Sequence, residues 1–272
     1  MIIIGEKING VIPEVRKAIV ERDADVILRY VSAQAQCGAD YLDCAPSASS
    51  QTEYDVMLWL LELIQSSTEL PVCLDSPNIK TLTRLLESGV IRRPGIVNAV
   101  SEDGKKCEAL FPRLAGTQWG IVGLCCDGGG IPARDEQKID IARRLIDKAD
   151  HYGVQLSSLY LDPCIMPLAT APNALQSLCS CIRAIHAFAP EVKVIGAVSN
   201  ISFNMPARKY INASCLAYAL AAGMDGAILD PCCPQIRSTI SACETLLRQN
   251  GSKAARAHTA CQTDASEEEK TE

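Results

Sequence analysis

Eight short apolar runs, each followed by a stretch of helical periodicity, set the strongest limit on how this chain folds. The runs are Ile2–Gly5, Tyr41–Cys44, Val72–Asp75, Gly95–Asn98, Gly120–Leu124, Leu159–Asp162, Val192–Val198 and Gly226–Leu229. They are short and almost wholly apolar, as strands buried on both faces of a parallel sheet must be. The stretches between them place apolar residues at helical spacing. Leu175, Leu178, Ile182 and Ile185 form one stripe. Ile139, Ala142, Leu145, Ile146 and Ala149 form a second, and Ile236, Ile240, Cys243 and Leu247 a third. Pro13 suits the first turn of an early helix. Gly38, Gly89 and Gly223 stand just before runs, where a helix C-cap favours glycine.

Eight such units predict a (β/α)8 TIM barrel, and 272 residues is a length at which such a barrel forms one domain. An open doubly wound sheet is the alternative. No Gly-x-Gly-x-x-Gly opens a helix after the first run, which counts against its dinucleotide-binding form. Gly128-Gly129-Gly130 follows the fifth run without the Gly-Lys-Ser/Thr of a phosphate cradle and is expected to be a flexible loop. The barrel is expected to occupy residues 1–249, with 250–272 a polar, acidic C-terminal extension. Asp264, Glu267, Glu268, Glu269 and Glu272 there, set against Lys270, carry much of the net charge of −6.

Composition narrows the function classes. With 48% hydrophobic and 21% charged residues the chain has ample core material and is not disordered. Net acidity and 4% aromatics argue against a nucleic-acid partner, for want of phosphate neutralisation and of stacking surfaces. No apolar stretch reaches the roughly 18 residues of a membrane span. The start, Met1 to Glu6, lacks the basic segment of a signal peptide. The 14 cysteines include two doublets (Cys125-Cys126, Cys232-Cys233) and one Cys-x-Cys (Cys179, Cys181) but no paired C-x2-C units. They are read as reduced thiols of a cytoplasmic protein, with Cys37, Cys73, Cys179, Cys215 and Cys243 as small core residues.

In a barrel, chemistry sits at the C-terminal ends of the strands. Glu6 and Asn9 follow the first run and Asp43 ends the second. Asp75 and Asn98 close the third and fourth. Asp127 follows the fifth, Asp162 ends the sixth, Ser199 and Asn200 follow the seventh, and Asp230 follows the eighth. Asp and Asn also cap turns and helices, which accounts for individual members. Capping does not require every strand to contribute. A ring of acceptors and amides with few cations suits a neutral heterocycle rich in donors better than a phosphate. A Mg2+ site built from these carboxylates is the alternative, but no ligand pair shares a local motif, so no metal is expected. His151, His186 and His258 fall away from the mouth, so no Ser-His-Asp or Cys-His set forms.

The segments Gly5-Glu6-Lys7-Ile8-Asn9-Gly10, Cys73-Leu74-Asp75-Ser76, Tyr160-Leu161-Asp162-Pro163 and Gly196-Ala197-Val198-Ser199-Asn200-Ile201-Ser202 resemble the pterin-binding methyltransferases. Within that group the likeness is to methyltetrahydrofolate:corrinoid protein methyltransferases, and it runs from the N-terminus to about residue 248. The resemblance implies a (β/α)8 barrel, usually a homodimer. It would move a methyl group between N5 of tetrahydrofolate and the cobalt of a corrinoid carried by a separate protein, with no metal of its own. It implies that Asp75, Asn98 and Asp162 hydrogen-bond the pterin, with tetrahydrofolate or 5-methyltetrahydrofolate as substrate. Asn200 would reach N5, Gly196 and Ser199 would shape the pocket floor, and Arg208 would lie beside folate or corrinoid. Glu6, Asn9 and Asp43 are further candidates. The direction stays open between acetyl-CoA synthesis, which draws the methyl from folate, and O-demethylation, which delivers it to folate. Two differences from relatives stand out: Asp43-Cys44-Ala45-Pro46-Ser47 after the second run, and Phe203 shortly after Asn200. A dihydropteroate-synthase-like enzyme and a non-catalytic folate-binding barrel are the competing readings. The former expects a basic turn after the seventh strand, where this chain has Ser199-Asn200-Ile201-Ser202.

Overall fold

The alternation of runs and stripes folds into strands and helices in the expected order. A computed structural model of the chain describes residues 1–103 and 105–247. The expected boundary at residue 249, the extension 250–272 and His258 lie outside the described residues. The elements are β1 (Ile2–Asn9), α1 (Pro13–Glu21), α2 (Ala24–Gln36), β2 (Tyr41–Ala45), α3 (Glu53–Ser67), β3 (Val72–Asp75), α4 (Ile79–Glu87), β4 (Ile96–Ser101) and α5 (Lys105–Leu114). They continue with β5 (Gly120–Leu124), α6 (Asp135–His151), β6 (Leu159–Asp162), α7 (Ala174–Phe188), β7 (Lys193–Val194), α8 (Arg208–Ala222), β8 (Gly226–Leu229) and α9 (Pro234–Leu246). Pro13 opens α1 as expected. Gly38, Gly89 and Gly223 all take positive φ behind their helices, the left-handed turn that glycine adopts without a Cβ clash.

All strand pairs are parallel, in the order β7-β6-β5-β4-β3-β2-β1-β8. The circle closes through a single parallel bridge, Ala197 to Ile228, and the bond from Ile228 N to Gly196 O at 3.0 Å. Among the described residues no helix is long and apolar enough to cross a membrane.

Four strands differ from expectation, β2 only by running one residue on to Ala45. β1 runs on to Asn9, with a register shift between Gly5 and Ile8. The cause is Gln34, wholly buried on α2, whose Oε1 accepts the Lys7 amide at 2.9 Å. Gly5 makes room for it, since a Cβ there would stand 2.5 Å from that oxygen. β4 begins one residue late and reaches Ser101, shifting register between Asn98 and Val100. The run Val192–Val198 yields only Lys193–Val194 as strand. Asp225 Oδ2 takes the Val194 amide at 2.7 Å in place of a ladder partner, and the chain enters a 3-10 turn over Val198–Ser202. The expected flexible loop at Gly128–Gly130 is a closed turn: Asp127 and Gly130 exchange backbone bonds, and Asp127 Oδ1 accepts Gly129 N at 2.8 Å.

Two apolar layers hold the fold. The outer one joins the helices to the outward strand residues, including Leu42, Leu74, Val97, Ile121, Leu161 and Leu229. On α6 the buried stripe is Lys138, Ile141, Ala142, Leu145 and Ala149, so Ile139 and Ile146 stand at its flank and a lysine enters its phase. The inner layer fills the barrel with Ile4, Cys73, Ile96, Val122, Tyr160, Ile195 and Ile228. Cys73, Cys179, Cys215 and Cys243 are buried as expected, whereas Cys37 is only half-buried, at the α2 C-cap.

Candidate active site

Side chains alternate across a strand, so two residues beyond the inner apolar layer each strand again presents a residue to the barrel axis. Ile4 is followed by Glu6, Cys73 by Asp75, Ile96 by Asn98, Tyr160 by Asp162 and Ile228 by Asp230. Asp43 lies beside Cys73 in the β2–β3 register, and Asp75 pairs directly with Asn98. Sequence spacing therefore places the mouth ring, but it does not distinguish residues that serve a turn from those that face the cavity.

Hydrogen bonds make that distinction. Asn9 Oδ1 accepts from Val11 N at 3.0 Å, Asp127 from Gly129 N, and Asp230 from Cys232 N at 3.0 Å. These three serve their own turns. Glu6 accepts from Ser199 Oγ at 2.8 Å. Lys7 pairs with Asp230 at 3.0 Å. Arg208, opening α8, donates from Nε to Ser202 Oγ at 3.0 Å and from Nη2 to the Ser199 carbonyl at 2.9 Å. Glu6, Lys7, Ser199, Arg208 and Asp230 thus line a cleft at β1, β8 and α8 in which charges are already matched.

The other side of the mouth is different. Asp43 is 1% exposed, and its Oδ1 has no hydrogen-bond partner among the described residues. The Cys73 thiol donates to the same carboxyl group. Burial pushes its acidity well above the carboxylate range, and neighbouring Asp75 and Glu6 push it further. Burial also raises Asp75 to about 6, against the pull of Lys106 on α5. Asp162 is likewise raised to about 6 by burial, moderated by the Cys164 amide donating to Oδ1 at 2.7 Å and by Lys138. Glu6 is raised by burial, with the Ser199 bond opposing. A buried polar atom without a partner costs about 1–3 kcal/mol, so Asp43, Asp75 and Asp162 form a site that gains from a ligand carrying donors.

The remaining expected residues are placed as follows. Asn98 is half-buried and pairs with Asp75 in the β3–β4 register. Asn200 lies in the 3-10 turn after β7 with an exposed side chain at the rim. Gly196 follows β7. A Cβ there would meet Ile165 Cδ1 at 3.0 Å and Met224 Cε at 3.2 Å, behind the strand, so glycine serves the packing of β7. His151 ends α6 and His186 binds the Gly223 carbonyl from α7, both remote from the ring.

Three supporting residues escaped sequence reasoning. Glu53, 3% exposed at the start of α3, accepts from Ser76 Oγ at 2.9 Å and Thr81 Oγ1 at 2.7 Å, and so fixes the turn that follows Asp75. Lys138, 5% exposed, donates to the Cys164 carbonyl at 3.3 Å and holds the turn after Asp162. Lys106 supplies the positive charge nearest Asp75. Lys138 left a signal, a lysine in the phase of an apolar stripe. Glu53 and Lys106 left none, since charged residues are ordinary at helix starts. Among the described residues no three His, Cys, Asp or Glu side chains converge as a metal site would require.

Comparison with known proteins agrees with this geometry. The pterin binding enzyme family matches residues 14–230. The methylcorrinoid:tetrahydrofolate methyltransferase of Eubacterium limosum is 34% identical over 249 residues, 91% of each chain. The methionine synthase of Mycobacterium tuberculosis is 29% identical over 245 residues, 84% of this chain and 20% of that one. Among solved structures, Yersinia pestis DHPS superposes with a TM-score of 0.65 at 17% identity, covering 83% of this chain and 90% of that one. A Coxiella burnetii dihydropteroate synthase in complex with pteroic acid gives 0.65 at 14%, covering 90% and 93%. At such identities these two structures speak for the barrel alone. The extent of the family match and the 34% relative establish that this chain belongs to the pterin binding enzymes.

Proposed function

We propose that this protein is a methyltransferase that moves a methyl group between N5 of tetrahydrofolate and the cobalt of a corrinoid carried by a separate protein. The observation that carries this reading is the trio Asp75, Asn98 and Asp162, together with the unpartnered Asp43, on the cavity side of the mouth. A pterin presents an exocyclic amine and ring N–H groups along one edge, the donors this half of the mouth lacks. The relative named for methyl transfer between methylcorrinoid and tetrahydrofolate supports the same chemistry.

In this reading Asp75, Asn98 and Asp162 fix the pterin plane, and Lys106 and Lys138 keep the two carboxylates ionised near neutrality. Asn200, at the rim, donates its amide hydrogen to N5 as electron density builds there, an interaction that strengthens toward the transition state. The corrinoid, when docked, supplies the cobalt that gives or takes the methyl group. Ser199 is held by Glu6 and Arg208, which keeps the Asn200 turn in place. Gly196 contributes by letting β7 pack closely. Delivery of the methyl to folate, as in O-demethylation, is the direction favoured by the name of the 34% relative. A cytoplasmic homodimer without a metal of its own completes the proposal.

The test is spectroscopic. Methylcobalamin with tetrahydrofolate, and cob(I)alamin with methyltetrahydrofolate, are followed in the visible region with catalytic protein. Interconversion of the two cobalamin spectra is expected and should survive dialysis against a chelator. Folate binding without interconversion would leave a non-catalytic folate-binding barrel. Condensation of a pterin pyrophosphate with p-aminobenzoate would favour the dihydropteroate-synthase-like reading.

A further inference from the structure

The helical phase of α6 carries one cation into the packed side of that helix. Lys138 shares the buried stripe with Ile141, Ala142 and Leu145, and it is 5% exposed. A lysine at such a place usually runs its ammonium out to water. This one stays inside. Its single hydrogen bond is the donation from Nζ to the Cys164 carbonyl, at 3.3 Å. Among the described residues it has no ion-pair partner. Asp162 feels its charge without pairing to it, and Asp135, earlier on α6, is occupied by Ser177 Oγ at 2.5 Å. An ammonium carries three N–H donors. Two of them therefore have no acceptor among the described residues, where burying an unpaired charge is costly.

Beside this group lies a cavity of about 280 Å3. Lys138 and Cys164 both stand in its wall. Ile131 from the loop before α6, Ile165 from the loop after β6 and Leu178 from α7 supply apolar surface. Ile131 is 45% exposed and marks where the cavity meets solvent. No Asp or Glu lines it, and Lys138 is its one charged residue. Asn173, the N-cap of α7, is also in the wall and makes no side-chain cap bond, so the positive end of a 15-residue helix adds to the field of the ammonium. None of Asp43, Asp75, Asn98, Asp162 and Asn200 lines this cavity, which sets it apart from the wall assigned above to the pterin.

We propose that this cavity is a second small-molecule site, for a monocarboxylate with a compact apolar body, aryl or branched aliphatic, whose carboxylate accepts from the two free N–H donors of Lys138. One cation in an apolar wall selects one anionic charge, because a phosphate dianion or a dicarboxylate would bury a second charge unpaired. A neutral ligand would leave the ammonium as it is. The volume falls just below the roughly 300–1,000 Å3 of ordinary ligand pockets, which suits a ligand of about one ring. Tying the Cys164 carbonyl in place does not account for Lys138 by itself. That task needs one donor, which a neutral amide side chain supplies without burying a charge.

The site stands independently of the folate reading. Calorimetry on the whole protein uses benzoate as the carboxylate probe and benzamide as its neutral isostere, each with and without tetrahydrofolate. One benzoate per chain is expected, with a Kd no weaker than about 1 mM. Benzamide should bind at least tenfold more weakly, and tetrahydrofolate should not displace benzoate. Lys138→Met should weaken benzoate at least tenfold. Should that variant fail to fold, Ala133→Phe, at an exposed position of the same wall, should weaken benzoate by narrowing the cavity with Lys138 intact. Absence of binding, benzamide equal to benzoate, or unchanged affinity in a folded variant overturns the site. Displacement of benzoate by tetrahydrofolate overturns its separateness and makes the cavity part of the folate site. Benzoate bound through Lys138 in a protein that never binds tetrahydrofolate leaves this site standing and refutes the proposed function.

Discussion

The two sides of the barrel mouth use the same residue types in opposite ways. At β1, β8 and α8 the polar groups satisfy one another: Ser199 donates to Glu6, Lys7 pairs with Asp230, and Arg208 reaches the Ser199 carbonyl and Ser202. At β2, β3 and β6 they do so only in part, the Cys164 amide serving one oxygen of Asp162. Asp43 leaves an oxygen unpaired, and burial lifts Asp75 and Asp162 to about 6. The first arrangement is a scaffold that holds the turn carrying Asn200. The second is a cavity wall that costs folding free energy and recovers it on binding a ligand with donors. A carboxylate at a strand end therefore says little until its hydrogen bonds are known.

The largest expected effect breaks the wall. Asp75→Ala or Asp162→Ala should weaken folate binding by roughly 1–3 kcal/mol each, the cost of leaving a buried pterin donor unpaired. Calorimetry measures it, and unchanged affinity in both variants would show that the pterin edge lies elsewhere. Thermal stability should hold in Asp75→Ala, whereas Asp162→Ala also leaves the buried Cys164 amide without its acceptor and should lose stability.

Next comes the group at the boundary between scaffold and wall. Asn200→Ala should slow methyl transfer in both directions by at least about tenfold, or ~1.4 kcal/mol, while folate affinity falls less than in Asp75→Ala. Stopped-flow mixing of methyltetrahydrofolate with cob(I)alamin reads it. Wild-type rates at saturating folate would remove Asn200 from the chemistry.

On the scaffold side, Ser199→Ala removes the donor to half-buried Glu6 and should cost about 0.5–1.5 kcal/mol of stability in urea titration. Its folate affinity should change less than that of Asp75→Ala. An affinity loss equal to that of Asp75→Ala would erase the distinction between the two sides.

The smallest effect is in pH. With acidities near 6, Asp75 and Asp162 are ionised at pH 7.5 and mostly protonated at 5.5, so folate affinity should drop about fourfold per carboxylate between them. Stability of the free protein should move the other way. Because the folded acidities are raised, the fold favours the protonated acids. Their contribution is fully present below about pH 3.9 and is lost as pH rises through 6. Asp75→Asn should flatten its share of that slope in denaturation series at stepped pH.

Much of this molecule is legible in the residues. The short apolar runs report parallel strands because both sheet faces are covered, and Asp75 and Asp162 close their strands where the runs place them. Strand ends are less legible where a remote side chain intervenes. Gln34 extends β1 from another helix, and Asp225 truncates β7 by taking the Val194 amide. Glu53 gave no sign of itself, since its partners Ser76 and Thr81 lie more than twenty residues away.

By itself the sequence determined the barrel, the order of its strands and the ring of polar residues at one mouth, because side-chain periodicity and strand ends are local properties. Only the tertiary structure decided which members of the ring are spent on turns, which are paired, and which remain to meet a ligand. These outcomes depend on burial and on partners brought together from distant parts of the chain, and neither is encoded in the spacing along any one strand.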